Sequence, residues 1–311
     1  MATKRKETFY NFPSPIYNRN LVGHNDVLRS FDDAWKKRNE YPVHPVWLLT
    51  GQRGIGKATL AYELTRRIFS DLMGHDAAEQ MSAGGIGDFF IVDLEHNVGD
   101  ANRKTISVDT VRLMIEHLQM SSMAESWRVV IIDSMDELSR GTENALLKTL
   151  EEPPAKTIFF LIAHSLDGVL PTIRSRSRIE KMRPLSPMEL REIAANLLPE
   201  GTEISDNLIK LGGGCFGRIA NLLVTGADTL FNDVMDFISD SMMNSSDALA
   251  LSKRIAANPE NISILLDAIH ELNLAELYPQ AARDIDLMNA LHLDPDLVAF
   301  KILMEIKKCH S

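Results

Sequence analysis

The sequence predicts an α/β domain built on a parallel sheet, followed by a small helical lid and an all-helical C-terminal bundle. Three observations carry this. Between about residues 20 and 180, short apolar runs alternate with stretches of helical periodicity. A glycine-rich turn ending in lysine, Gly51 to Lys57, stands between an apolar run and a helix. From Ala227 onward, helix follows helix with brief breaks at Asn244, Pro259, Pro279 and Pro295.

The elements follow in order. Val46 to Thr50 reads as a buried strand running into the glycine turn. Behind the turn, Leu60, Leu64, Ile68 and Leu72 recur every fourth residue and give one apolar helix face. His75 to Asp88 is small and polar with three glycines, and reads as a loop before a strand at Phe89 to Val92. A second polar connection, Glu95 to Lys104, precedes a helix that Ser107 caps, with Val108, Val111, Ile115 and Leu118 on one side. Arg128 to Asp133 and Thr157 to Ile162 are further strands, and the helix between them, Asn144 to Leu150, is stopped by Pro153 and Pro154. Ser186, Pro187 and Glu189 form a capping box with proline at the first helical position, opening a helix to about Leu198. Two short helices, Asp206 to Leu211 and Arg218 to Leu223, flank the turn GGGCFG. The expected division is therefore 1–182, 183–225 and 226–311.

At 311 residues and 45% hydrophobic, the chain can bury the cores that such a division needs. The basic start, Lys4 to Lys6, leads into no apolar stretch, and no run approaches the ~18 apolar residues of a membrane span, so a cytoplasmic location is expected. Cys215 and Cys309 lie far apart and outside any C-x-x-C pattern, which gives neither a disulfide framework nor a zinc site. A formal charge of −10 argues against a free-standing DNA binder, because lysines and arginines supply non-specific affinity for phosphates. Contact with nucleic acid is expected to be local or shared with partners.

GQRGIGKAT follows the spacing G-x-x-x-x-G-K-[ST] up to its last position. In such a loop, glycines let backbone N–H groups converge on phosphate oxygens, lysine adds a point charge, and the next hydroxyl holds Mg²⁺. Gly51, Gly54, Gly56 and Lys57 supply the first two functions, whereas Ala58 cannot supply the third. Thr59 is rotated about 100° further round the helix and does not replace it. The second half of such a site is an acid-ended strand. Asp133 ends the strand from Val129, but Ser134 stands where a water-activating glutamate is needed, and a hydroxyl is a poor general base. Asp136 and Glu137 read as solvated turn charges.

Taken together, HPVWLLTGQRGIGKATLA, ISVDTVR, RVVIIDSMDELS, NALLKTLEEPP and LPTIRSRS resemble the delta-prime type of bacterial clamp-loader subunits, AAA+ proteins of the DNA polymerase III holoenzyme, over about residues 20 to 225. The resemblance implies an AAA+ domain, a lid and a collar bundle that assembles with gamma/tau and delta subunits, and through them with the beta sliding clamp and primed DNA. Ala58 and Ser134 depart from the hydrolysing gamma/tau type and select the non-hydrolysing one, with ATP or ADP binding weak or vestigial. The four-cysteine zinc module of many relatives has no counterpart in Gly74 to Asp88, so no metal is expected there. LVGH, Leu21 to His24, resembles a segment packed near adenine, or is an ordinary turn before a helix. Ala163 to Ser165 stand at the first sensor, and Arg218 matches the second-sensor arginine, with a solvent-facing charge the alternative. In RSRS, Ser177 replaces a cysteine, and Arg176 is the residue expected to act in trans as an arginine finger.

Two rival readings stay open on sequence alone. One is a self-sufficient P-loop ATPase or kinase, in which Thr59 and Asp136 restore the metal and water chemistry. The other is a scaffold in which Arg176 is only a surface charge.

Overall fold

The computed structural model describes residues 14–74, 77–94, 96, 105–119, 126–199 and 204–310. The basic residues Lys4 to Lys6, and the connection expected over 95–104 apart from residue 96, lie outside them. The chain forms two compact units, one running to residue 203 with Gly213–Gly217 added, the other comprising Ile204–Gly212 and Arg218–Ser311.

The first unit contains α1 (Asn25–Lys36), β1 (Val46–Thr50), α2 (Lys57–Met73), α3 (Ala77–Ser82), β2 (Phe89–Val92), α4 (Val108–Gln119), β3 (Arg128–Ile132), α5 (Arg140–Glu151), β4 (Thr157–Ala163), α6 (Pro171–Arg174), β5 (Arg178–Lys181) and α7 (Pro187–Leu197). Its sheet is all parallel in the order β2-β3-β4-β1-β5. The central strands β1 and β4 are buried along their whole length because both faces are covered. Trp47, Leu49, Val129, Ile131 and Phe160 point to one face, where they meet Phe31 of α1 and Leu60, Leu64 and Ile68 of α2. Val46, Leu48, Val130, Ile132, Phe159 and Leu161 point to the other, against Val111 and Leu118 of α4 and Leu146 and Leu150 of α5.

Caps set the helix ends. The Ser107 hydroxyl accepts from the Thr110 amide at 3.2 Å, and Ser139 accepts from Thr142 at 3.1 Å. The Ser186–Glu189 capping box opens α7 as expected. The helix ahead of Pro153 is longer than its apolar core suggests and runs from Arg140.

Two expectations need correction. The stretch read as a loop from His75 contains α3, whose Ala77 and Met81, one turn apart, are both buried and give the segment an anchoring stripe. Leu72 does not continue the buried face of α2: it is 39% exposed in the last turn, and Phe69 is buried instead.

The second unit contains α8 (Asp206–Gly212), α9 (Phe216–Thr225, from Arg218 on), α10 (Ala227–Ser239), α11 (Ser245–Ala256), α12 (Ile264–Glu271), α13 (Tyr278–Leu291) and α14 (Pro295–His310). Asn244 opens α11 through a capping box with Asp247. Pro279 and Pro295 sit in the first turns of α13 and α14, so they start helices rather than interrupt them. α14 packs against α10 and α11, burying Val298, Ile302, Leu303 and Ile306. No helix among the described residues is long and apolar enough to cross a membrane.

Candidate functional site: a phosphate loop without its metal and water groups

The site lies where β1 ends. Gly51, Gly54 and Gly56 have φ of 154°, 83° and 105°, angles that residues with a Cβ rarely adopt, and they turn the strand into α2. Lys57 is buried at the first position of α2. Its Nζ donates to the Gly51 carbonyl at 2.6 Å and the Gln52 carbonyl at 2.9 Å, which ties the start of the loop to its end. An ammonium has three N–H donors, so one is left over. Burial lowers the Lys57 pKa to about 8, while the charges of Asp133 and Asp136 oppose the shift.

Two segments remote in sequence brace this loop. His24, itself left-handed at φ 55°, is buried and donates from Nε2 to the Ile55 carbonyl at 2.9 Å. Burial holds its pKa below the usual histidine value, and its buried Nδ1 has no hydrogen-bond partner, as suits the bare nitrogen of a neutral ring. On the other side, the Gly217 amide donates to the Gly54 carbonyl at 2.9 Å, and the Cys215 thiol donates to Gln52 Oε1 at 2.9 Å. The two backbones touch here: a Cβ placed on Gly217 would lie 2.6 Å from Gly54 Cα. Nothing in the local sequence pattern announces either brace.

The remaining parts of a hydrolytic site do not assemble. Ala58 packs half-buried against the core on the α2 side of the sheet. Thr59 lies on α2 one residue further on. Asp133 follows β3, and burial raises its pKa, with His164 and Lys57 favouring the carboxylate. Ser134 takes a left-handed conformation at φ 68°. The donor set therefore suits a phosphate group and does not suit the magnesium ion that usually accompanies it.

Asp136 is not a solvated turn charge. Its carboxylate accepts from the His164 amide at 3.0 and 3.1 Å and from the Ser165 amide at 3.1 Å, so it fastens the end of β4. The side chain of Glu137 is not among those described. Among the described residues no group of His, Cys, Asp and Glu could hold a metal ion.

Arg176 comes just after α6. Its Nη2 pairs with Glu151 Oε1 at 2.7 Å, and its Nη1 donates to the Thr172 carbonyl at 3.0 Å. Ser177, at the cysteine position of the motif, donates from its hydroxyl to the Ile173 carbonyl at 2.7 Å and so finishes α6. In the helical unit, Arg218 is bound by Asp267 of α12, its Nη2 donating to Oδ2 at 2.6 Å. Burial raises the Asp267 pKa, and Arg218 acts against that shift.

A family model described as DNA polymerase III, delta subunit, matches residues 23–186, more than half of the chain. The chain belongs to that family. It is 30% identical over 177 residues to the DNA polymerase III subunit delta' of Pseudomonas aeruginosa, covering 54% of this chain and 52% of the relative. It is 32% identical over 148 residues to that of Escherichia coli, covering 45% and 43%. A DNA polymerase III subunit gamma from Buchnera aphidicola matches at 29% over 213 residues, covering 67% and 57%. The chain spans about half the length of the curated relatives it matches.

Proposed function

We propose that the protein is a delta-prime-like clamp-loader subunit that has lost its own hydrolysis and supplies Arg176 to a nucleotide bound by a neighbouring subunit. The observation that carries this is the state of its own site. The phosphate loop keeps its glycines and a buried Lys57, yet Ala58 and Ser134 stand at the metal and water positions, and Asp136, the acid that a self-sufficient ATPase needs, is committed to two backbone amides. An arginine is suited to the remaining role, because its permanently charged planar guanidinium stabilises the charge that builds during phosphoryl transfer.

On this reading 1–182 is the AAA+ domain, 183–225 the lid and 226–311 the collar. Gamma/tau and delta are its partners, and the beta clamp and primed DNA are reached through the complex in the cytoplasm. ATP or ADP, if held at all, sits at Gly51, Gly54, Gly56 and Lys57 without zinc or a firmly bound magnesium. Arg218 is held by Asp267, an ion pair that competes with any phosphate for its guanidinium.

The test is a reconstituted loader carrying Arg176→Ala, with Arg174→Ala as the neighbouring-charge control. Assembly is expected to persist, and hydrolysis at the site beside this subunit to fall by about 10³-fold or more for Arg176 alone. Undiminished hydrolysis in both variants leaves the scaffold reading standing. Phosphate release by the purified subunit that disappears in Lys57→Ala supports the ATPase reading instead.

A further inference from the structure

Three acids from one continuous stretch hold the segment that carries Arg176. Asp136 accepts from the His164 and Ser165 amides at the start of that segment. Glu143, buried in the first turn of α5, accepts from the Leu170 amide at 3.1 Å, and Leu170 is the residue from which α6 starts. Glu151, the last residue of α5, pairs with Arg176 itself. A proline two residues on fixes the place of Glu151: Pro153 forces Glu152 out of the helical region, to φ −125° and ψ 73°, so α5 ends there. α5 is thus a rigid rod touching the Arg176 segment at both of its ends.

The contacts of the guanidinium define its orientation. Nη1 donates to the Thr172 carbonyl at 3.0 Å and reaches Ser175 Oγ at 3.4 Å, and Nη2 lies 2.7 Å from Glu151 Oε1 in an ion pair. Both hydrogen bonds come from Nη1, and the Nε–H makes none among the described residues. The Nε–H edge of a guanidinium can meet phosphate oxygens.

We infer that Glu151 is a positioning residue, holding Arg176 against the Thr172 carbonyl so that its Nε–H edge is presented to the neighbour's nucleotide. The inference rests on the trans role of Arg176 proposed above. Arg176 is 37% and Glu151 44% exposed at the side chain, so the pair adds little to folding stability, and its removal should be felt in catalysis rather than in unfolding.

The experiment uses the loader reconstituted with the full chain, with only the nucleotide site beside this subunit left able to hydrolyse. Arg176→Ala is expected to lower kcat by about 10³-fold or more. Glu151→Ala is expected to lower kcat by about 10- to 100-fold with KM for ATP unchanged, the cost of a misplaced group. Glu151→Gln, which keeps an acceptor oxygen, stays within about threefold of the parent. The double variant falls no further than Arg176→Ala, and Glu152→Ala behaves as the parent. The urea midpoint of each variant checks that folding is intact; should Glu151→Ala fail to fold, Glu151→Asp, one methylene shorter, takes its place with a smaller loss of kcat. Parent-like hydrolysis in the Glu151 variants while Arg176→Ala is impaired overturns the positioning role and leaves the finger intact. Faster hydrolysis in Glu151→Ala, or losses that add in the double variant, also overturn it. Parent-like hydrolysis in Arg176→Ala overturns the finger and this inference with it.

Discussion

Replacing Asp136 separates a structural acid from a catalytic one. Its carboxylate receives two backbone N–H groups, those of His164 and Ser165, at 3.0 to 3.1 Å. A hydrogen bond to a charged acceptor contributes about 1.5–3 kcal/mol, and because Asp136 is only half-buried the lower figure applies. Asp136→Ala forfeits both bonds, about 3 kcal/mol, and Asp136→Asn forfeits one and turns an NH₂ towards an N–H donor, about 1.5 kcal/mol. Both variants keep the Cβ against which Gly168 packs, so packing is not confounded. Trp35, Trp47 and Trp127 all lie in the α/β unit, so tryptophan fluorescence during urea unfolding reads that unit alone. With a slope of about 2 kcal/mol per molar urea, the midpoint is expected to move down by about 1.5 M for the alanine and about 0.7 M for the asparagine. Midpoints for both variants within about 0.25 M of the parent, the scatter of neutral surface changes, refute the argument.

Two further outcomes concern the loop. Gly217→Ala places a methyl group 2.6 Å from Gly54 Cα, and overpacking of backbone on backbone is expected to cost about 2–3 kcal/mol in the same unfolding assay; an unchanged midpoint shows that the turn moves aside freely. Lys57 has a folded pKa of about 8 against about 10.4 unfolded, so between these values the unfolded chain holds the extra proton and this group's contribution to stability rises with pH. The parent's urea midpoint relative to Lys57→Met is expected to rise from pH 7 to pH 9.5, and a flat or falling difference contradicts a depressed Lys57.

Local order was the part of the fold that the sequence made legible. The apolar runs of β1, β3 and β4 are legible because central strands bury both faces, and the caps at Ser107 and Ser186 are legible because a short polar side chain must meet the helix amides within three residues. The loop glycines and Lys57 were legible for the same reason. β5 was not: Arg178, Ile179, Glu180 and Lys181 have no apolar period, and their strand character comes only from pairing with β1. α3 was hidden by its brevity. The roles of the acids are not legible, because a carboxylate's role depends on what folds onto it. Asp136 and Glu143 are chosen by amides 28 and 27 residues away, and Glu151 by an arginine brought back across β4.

β5 also has a consequence for how the sheet ends. A bare outer strand is an open row of amides and carbonyls on which any extended chain can add itself. This one alternates two cations and an acid along its length, and Arg178 lies across the Trp47 ring at 4.2 Å while its Nε pairs with Glu180 at 2.9 Å. A stray strand seeking to extend the sheet would have to strip water from charges that find no counterpart on it. The Arg176 segment runs directly into this guarded border, so on the proposed reading a neighbouring subunit would meet side chains there and find no open row of backbone to grip.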